Sequence, residues 1–332
     1  MVFYVVTREH SYTMTAYARD WNRLRLVFYD DLFQASSLPV GTYIFSDLDR
    51  LTPSERRLAG AAWQQIASAA PRVRLLNNPA TVLCRYELMH ELTKSGENQY
   101  RARRATEGLD GLSYPVFVRC EREHQGSITP LLHNAMALRS AIVWARFKGY
   151  RARDLLVVEF CDTSDAAGLF RKYSAFLVDG EVLPRHLLFS RSWHLKKPDI
   201  ADAETAPEVE TYLEGNPHEE ALRRIFRRAN IDYGRIDYSM LGDQPQVWEI
   251  NTNPLVKRLA ERLTAAFARL DEGEPGDVRS IPICLNAQLV SDAARERTDE
   301  LRAREKRDRM AALLSAPSVH AIRRAAHSLR DN

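Results

Sequence analysis

Two β-rich runs constrain this chain more than any other stretch: Arg235 to Leu241 and Gln246 to Asn251, separated by Gly242-Asp243-Gln244-Pro245. Alternate side chains of an extended strand share a face, so Arg235 and Asp237 are expected to point together and Glu249 to point with Asn251. Ile236, Trp248 and Ile250 are expected to point the other way. A buried strand face carries a carboxylate and an amide only where something cationic compensates their desolvation. If the runs pair antiparallel, directly opposite residues point the same way, so Asp237 and Glu249 share a face when the connection holds an odd number of residues. A loop of roughly three or five residues around Asp243 or Gln244 is therefore expected.

Two carboxylates and an amide oxygen are hard donors of the kind Mg²⁺ prefers, and Mg²⁺ takes about one or two carboxylates together with substrate phosphates. Taken alone, Glu249-Ile250-Asn251 reads as a strand end followed by an ordinary Asn251-Thr252-Asn253-Pro254 turn. The Arg-x-Asp run one hairpin earlier shifts the reading to a metal site of Asp237, Glu249 and Asn251.

The rest of the chain reads as mixed α/β. Short strands at Phe3 to Thr7, Leu26 to Tyr29 and Thr42 to Phe45 precede a helical pattern from Pro53 to Ala70, with Ser54 as its start signal; this suits a small α/β domain with a parallel sheet. Asn77-Asn78-Pro79 marks a turn, followed by a helix over Pro79 to Thr93 that stops near Gly96. A strand at Tyr114 to Cys120, a helix from Asn134 to Phe147 and a buried strand at Leu155 to Phe160 come next. Asp179-Gly180 between Tyr173 to Val178 and Glu181 to Ser190 signals a hairpin. His218 to Arg228 is helical, and beyond Leu285 the Ala-, Arg- and Glu-rich tail is helical with little β signal. The expected division is 1–78, 79–160, 161–284 and a tail over 285–332.

With 332 residues, 45% of them hydrophobic, the chain is long enough for two or three compact units. No apolar run approaches the roughly 18 residues that span a bilayer. A net charge of +3 gives the whole molecule no field that by itself argues for nucleic acid or an anionic membrane as a partner. Cys84, Cys120, Cys161 and Cys284 form no ligand or disulfide spacing, and Met1 to Thr7 reads as a strand rather than a leader, so a cytoplasmic location is expected.

The Asp237…Glu249-Ile250-Asn251 arrangement resembles the ATP-grasp superfamily, in which an acidic residue on one strand and a Glu-x-Asn on the next hold Mg²⁺ between ATP phosphates. The resemblance runs from about Asn77 to Leu270 and implies an N-terminal pre-ATP-grasp α/β domain, a two-lobed ATP-grasp fold and a helical C-terminal tail. By that resemblance Val157-Val158-Glu159-Phe160 is the strand where Glu159 meets adenine and ribose, and Tyr173 to Ser190 is the hairpin that follows it. Arg85 and Arg119 stand where the family commonly places phosphate-binding lysines, a departure, since Arg offers a planar fork and Lys a point charge. The loop Glu121 to Ser127 holds one glycine, Gly126, which reshapes the phosphate clamp. Lys196 reads either as a loop cation for a γ-phosphate or as half of a solvated Lys-Lys pair. The resemblance implies that Arg235 faces an acyl phosphate or tetrahedral intermediate, its alternative being a salt bridge to Asp237 alone, with the carboxylate substrate near Asn253 to Arg258. His124 and His186 read as lone, structural or exposed histidines.

The implied activity is ATP- and Mg²⁺-dependent ligation, in which a carboxylate becomes an acyl phosphate that an amine displaces. Its partners are small-molecule carboxylates and amines, with the tail offering a face for a second copy or another protein. A kinase on the same scaffold and a non-catalytic nucleotide-binding protein are the other two readings, the latter prompted by Arg85, Arg119 and the single-glycine loop.

Overall fold

The computed structural model describes residues 1–124, 126–195, 199–256, 261–271 and 280–315. In chain order its elements are β1 (Val2–Val6), α1 (Tyr12–Asp20), β2 (Leu24–Phe28), α2 (Tyr29–Gln34), β3 (Ser37–Pro39), β4 (Thr42–Phe45), α3 (Pro53–Ala69), β5 (Leu75–Leu76) and α4 (Arg85–Lys94). There follow β6 (Ala102–Arg104), β7 (Val116–Cys120), α5 (Ala135–Phe147), β8 (Leu155–Glu159), β9 (Phe170–Val178), β10 (Glu181–Ser190), α6 (Ala206–Glu214) and α7 (Glu219–Arg228). The last are β11 (Gly234–Leu241), β12 (Gln244–Asn251), α8 (Glu261–Leu270), β13 (Ser280–Pro282) and α9 (Ala287–Ser315).

The chain divides into two compact units, one of Met1–Ala102 with Cys161–Ala293, the other of Arg103–Phe160 with Ala294–Asn332. The expected four-part division is regrouped for a packing reason. Residues from 1–78 and from 161–284 share one core, in which Phe3, Val5, Tyr43 and Phe45 join Tyr173, Ala175, Ile236, Tyr238, Val247 and Ile250.

In the first unit a parallel sheet has strand order β2-β1-β4-β5. Both its faces are covered, as parallel sheets require. Leu58, Ala59, Ala62 and Ile66 of α3 pack on the Phe3, Val5, Tyr43 and Phe45 face. Met14 and Tyr17 of α1 pack on the opposite face with Val2, Tyr4, Val6 and Ile44. Helix α3 starts at Thr52 rather than Ser54: Thr52 Oγ1 accepts from the Glu55 N–H, the Glu55 carboxylate accepts from the Thr52 N–H, and Pro53 takes the first helical position. Helix α4 begins at Arg85, later than the expected Pro79, because residues 79–84 turn on the Asn78 carbonyl, which accepts from Thr81 and Val82.

The second sheet of this unit is antiparallel, ordered β10-β9-β11-β12. Asp179 and Gly180 join β9 to β10, both with positive φ (52° and 72°), as a tight hairpin turn demands. One face of this sheet is apolar and belongs to the shared core; on the other, Phe176 and Val178 of β9 pack in a second apolar cluster, while Lys172 and Ser174 make the face polar.

In the second unit a three-stranded sheet ordered β6-β8-β7 packs against α5, with Val116, Val118, Leu138, Ala145, Leu155 and Val157 in its core. Asn134 caps α5 by accepting from the Ala137 N–H. No helix among the described residues is long and apolar enough to cross a membrane.

Candidate functional site

The polar face of the antiparallel sheet is built by strand register. Asp237 lies directly opposite Glu249, and Arg235 opposite Asn251. On the other side Asp237 is paired with Ser174 of β9, which is itself opposite His186 of β10. Alternation then brings Lys172, Ser174, Arg235, Asp237 and Ser239 to one face, while Tyr173, Ala175, Ile236 and Tyr238 enter the core.

The expected odd-length loop is not what aligns the carboxylates. The connection is the two-residue turn Gly242-Asp243, with Leu241 opposite Gln244 and Gly242 at φ +57°. Carried on regularly, that register would set Asp237 against Trp248; a β-bulge after the Tyr238–Val247 pair shifts it by one residue. Trp248 is the extra residue, and its placement corrects the sequence expectation. Its indole N–H donates to Ser239 Oγ at 3.0 Å and its ring stacks on Tyr100, so it lies on the polar face while Val247 takes the core position. The bulge is held from outside the edge strand: Asn98 accepts from the Val247 N–H at 2.9 Å and donates to its carbonyl at 3.2 Å. The Tyr100 hydroxyl donates to the same carbonyl.

Asp237 is nearly inaccessible, with 3% of its side chain exposed, yet it is densely partnered. Lys172 Nζ lies 2.8 Å from Oδ2, Arg235 Nε donates to Oδ1 at 3.1 Å, and Ser174 Oγ donates to Oδ1 at 2.8 Å. Burial works against its charge, but Arg235 and Lys172 outweigh burial and hold the carboxyl below the usual carboxylate range. Glu249 meets the Arg85 guanidinium, whose side chain is 1% exposed at the first turn of α4. A helix-borne arginine is ordinarily solvated; here the packing of α4 on the edge strand β12 buries it. His186 is largely buried on this face, and burial pushes its imidazole down to about 4, assisted by the Arg235 and Lys172 charges.

Asn251 Oδ1 accepts from the Asn253 N–H at 2.8 Å, closing a turn in which Asn253 and Thr252 reach the N-terminal sheet. Asn253 Oδ1 accepts from Tyr4 Oη and Thr13 Oγ1, and Thr252 Oγ1 accepts from the Leu48 N–H.

Of the residues singled out from sequence, the structure thus brings together Arg85, Arg235, Asp237, Glu249 and Asn251. Arg119 and Glu159 belong to the second unit. Arg119 is buried on β7 opposite Leu156, and Glu159 ends β8, its Oε1 accepting from the Ser113 N–H at 2.7 Å. Lys196, Lys197, Lys257 and Arg258 lie outside the described residues. Sequence reasoning missed Lys172 and Ser174. The signal was the position of Lys172-Tyr173-Ser174 on a strand, but the register that sets Ser174 against Asp237 spans 63 residues and no local pattern encodes it.

The donor set suits Mg²⁺ only jointly with an anion. Two carboxylates and one amide are hard oxygen donors, yet Arg85, Lys172 and Arg235 already face them, so the cluster carries a positive excess before any cation arrives. Polyphosphate would reverse that balance. Among the described residues no group of three or more His, Cys, Asp or Glu side chains forms a self-sufficient metal cage.

No protein-family model matches the chain, and no curated protein matches its sequence. Solved structures do resemble it. D-alanine–D-alanine ligase from Bacillus anthracis aligns with a TM-score of 0.48 and 14% identity over 90% of this chain and 99% of that one. The RimK domain protein ATP-grasp from Sphaerobacter thermophilus gives 0.46 and 17% over 82% and 99%. N5-carboxyaminoimidazole ribonucleotide synthetase from Thermotoga maritima gives 0.45 and 10% over 76% and 68%.

Proposed function

We propose that this chain is an ATP-grasp-type, ATP- and Mg²⁺-dependent ligase that activates a carboxylate as an acyl phosphate and joins it to an amine. The observation that carries the reading is the bulge-set pairing of Asp237 with Glu249, beside Arg235 and Asn251, on a sheet face otherwise supplied with cations.

Phosphoryl transfer asks a protein mainly for positioning and for charge placed where negative charge develops. Asp237, Glu249 and Asn251 would hold Mg²⁺ against the nucleotide phosphates, and the ion supplies charge neutralisation there. Arg235 and Lys172 place two cations on the same face, fitted to a substrate carboxylate and to the phosphoryl group it receives. In the first step a carboxylate oxygen attacks the γ-phosphorus, the bond to the bridging oxygen breaks, and ADP leaves. In the second, an amine attacks the acyl carbon and inorganic phosphate leaves. Arg119, Glu159 and Lys196 are proposed as nucleotide contacts on the sequence resemblance alone.

A second reading, a nucleotide-binding protein without turnover, is favoured by one specific observation. Both carboxylates already have cationic partners, Arg85 on Glu249 and Lys172 with Arg235 on Asp237, a closed arrangement that a bound Mg²⁺ would have to open. Screening for ADP release with pools of carboxylates and amines, beside Glu249→Ala, separates the readings. Ligation gives ADP release that needs both pools and falls at least a hundredfold in the variant. A stable phosphorylated product without amine assigns kinase chemistry, and ATP binding without ADP release assigns the non-catalytic role.

A further inference from the structure

The parallel sheet holds a second constellation, separate from the carboxylate pair. Strand β1 leads through α1 to β2 on one side, and β4 leads through α3 to β5 on the other, with α1 and α3 packed on opposite faces. The strand order therefore reverses between β1 and β4, and open α/β sheets bind ligands outside the carboxyl ends of strands at such a point. Thr7 and His10 follow β1 here, and Asp47 and Arg50 follow β4.

Asp47 is 3% exposed and adopts a left-handed backbone (φ +60°), a conformation that costs free energy in any residue with a Cβ. Its Oδ1 accepts from Arg50 Nη1 at 2.5 Å and its Oδ2 accepts from the Thr7 hydroxyl. With the Thr7 proton committed to Asp47, the Thr7 oxygen accepts from His10 Nδ1–H, 2.9 Å away, and His10 Nδ1 lies 3.4 Å from Asp47 Oδ2. The imidazole is thereby fixed in the tautomer whose Nε2 lone pair is uncommitted and turned from Asp47 toward Glu9, 3.9 Å away. Burial opposes the Asp47 charge, but hydrogen bonds from His10 and Thr7 and the Arg50 guanidinium hold its carboxyl at about 2, so an anion stands behind the imidazole at neutral pH.

This constellation is tied to the proposed metal end. Asn253, two residues past Asn251, donates from Nδ2 to the His10 carbonyl at 3.2 Å and accepts from Thr13 Oγ1 at 2.6 Å. The base–orienter geometry is that of general-base catalysis: a histidine held at Nδ1 by a carboxylate network, presenting Nε2.

Resting on the ligase reading above, we propose that His10, oriented by Thr7 and Asp47, is the general base that deprotonates the acceptor amine, and that the acceptor enters as an ammonium at the β1/β4 crevice. His10 Nε2 takes one proton from R–NH₃⁺. The freed nitrogen pair forms the C–N bond to the acyl carbon, the C–O bond to phosphate breaks, and the departing phosphate takes the second nitrogen proton to leave as HPO₄²⁻. The Glu9 and Asp47 carboxylates place negative charge beside His10 that attracts an arriving ammonium, while Arg50 is paired with Asp47.

The test compares two acceptors with a mixture of the common amino acids as carboxylate source. Hydroxylamine is unprotonated at pH 7.5 and needs no base, whereas amino-acid ammonium groups do. In His10→Gln the ratio of amide to hydroxamate formation should fall at least tenfold at pH 7.5 and recover toward the parent ratio at pH 9.5; Thr7→Val, which frees the imidazole from its relay, should lower it in the same direction. An unchanged ratio in His10→Gln, or an equal loss of both products that persists at pH 9.5, overturns the role of His10 alone. Absence of hydroxamate and ADP with the parent protein overturns the ligase reading itself, and this inference with it.

Discussion

Glu249 meets a cation before any metal is considered, and the Arg85 that supplies it is more deeply buried than Glu249 itself. Removing one partner of a buried pair leaves an uncompensated charge, whereas replacing both with apolar groups removes the desolvation cost as well. Arg85→Leu should therefore destabilise the protein by about 3 kcal/mol, and Arg85→Leu with Glu249→Leu should recover most of that loss in denaturant unfolding. If the double variant is as unstable as the single one, Arg85 acts through its packing in α4 rather than through the pair. Residue types at this site were legible in sequence because a strand face that alternates Arg-x-Asp and Glu-x-Asn has few apolar explanations. The Arg85 partner was not legible, since 164 residues separate it from Glu249.

The hairpin of β11 and β12 shows where element-level reading succeeds and where it stops. Alternation gave Asp237 and Glu249 a common face, but parity was assigned to the loop, whereas a bulge at Trp248 sets it. A bulge is decided by what satisfies the edge strand, here Asn98 and Tyr100, and such tertiary partners leave no mark on the strand's own pattern. The tight turn carries its own prediction. A Cβ at Gly242 would meet nothing within 4 Å, so substitution there costs only the left-handed conformation. Gly242→Val should lower stability by about 1–2 kcal/mol and Gly242→Asn by clearly less, measured by chemical denaturation, because Asn tolerates that region. His186 makes a pH prediction for the same sheet. Its folded value of about 4 lies below its ordinary value, so the unfolded chain binds the extra proton first. Stability of the metal-free protein should be fully present above about pH 6.5 and decline as pH falls toward 4. His186→Gln should flatten that slope, and an unaltered slope would place the titration elsewhere.

Across the whole molecule, the mixed α/β class, the parallel N-terminal sheet and the helical tail were legible from strand runs, turn signals and composition. The regrouping of residues 1–102 with 161–293 was not, because it follows from one core shared by two sheets distant in sequence. Hydrogen bonds also join the loop after Asn251 to Tyr4, Thr13 and Leu48, so the first unit holds both the carboxylate pair and the His10–Asp47 network. With a positive excess around Asp237 and Glu249, free Mg²⁺ should bind poorly and Mg²⁺ with ATP well, a joint dependence that a preformed cation cage would not show. The most direct test is calorimetric titration of ATP into the protein with and without Mg²⁺, for the parent and for Asp237→Asn and Glu249→Ala. A preference for ATP with Mg²⁺ of at least tenfold in the parent, abolished in both variants, is the expected result. Unchanged Mg²⁺-dependent ATP binding in both variants would contradict the metal site at Asp237, Glu249 and Asn251.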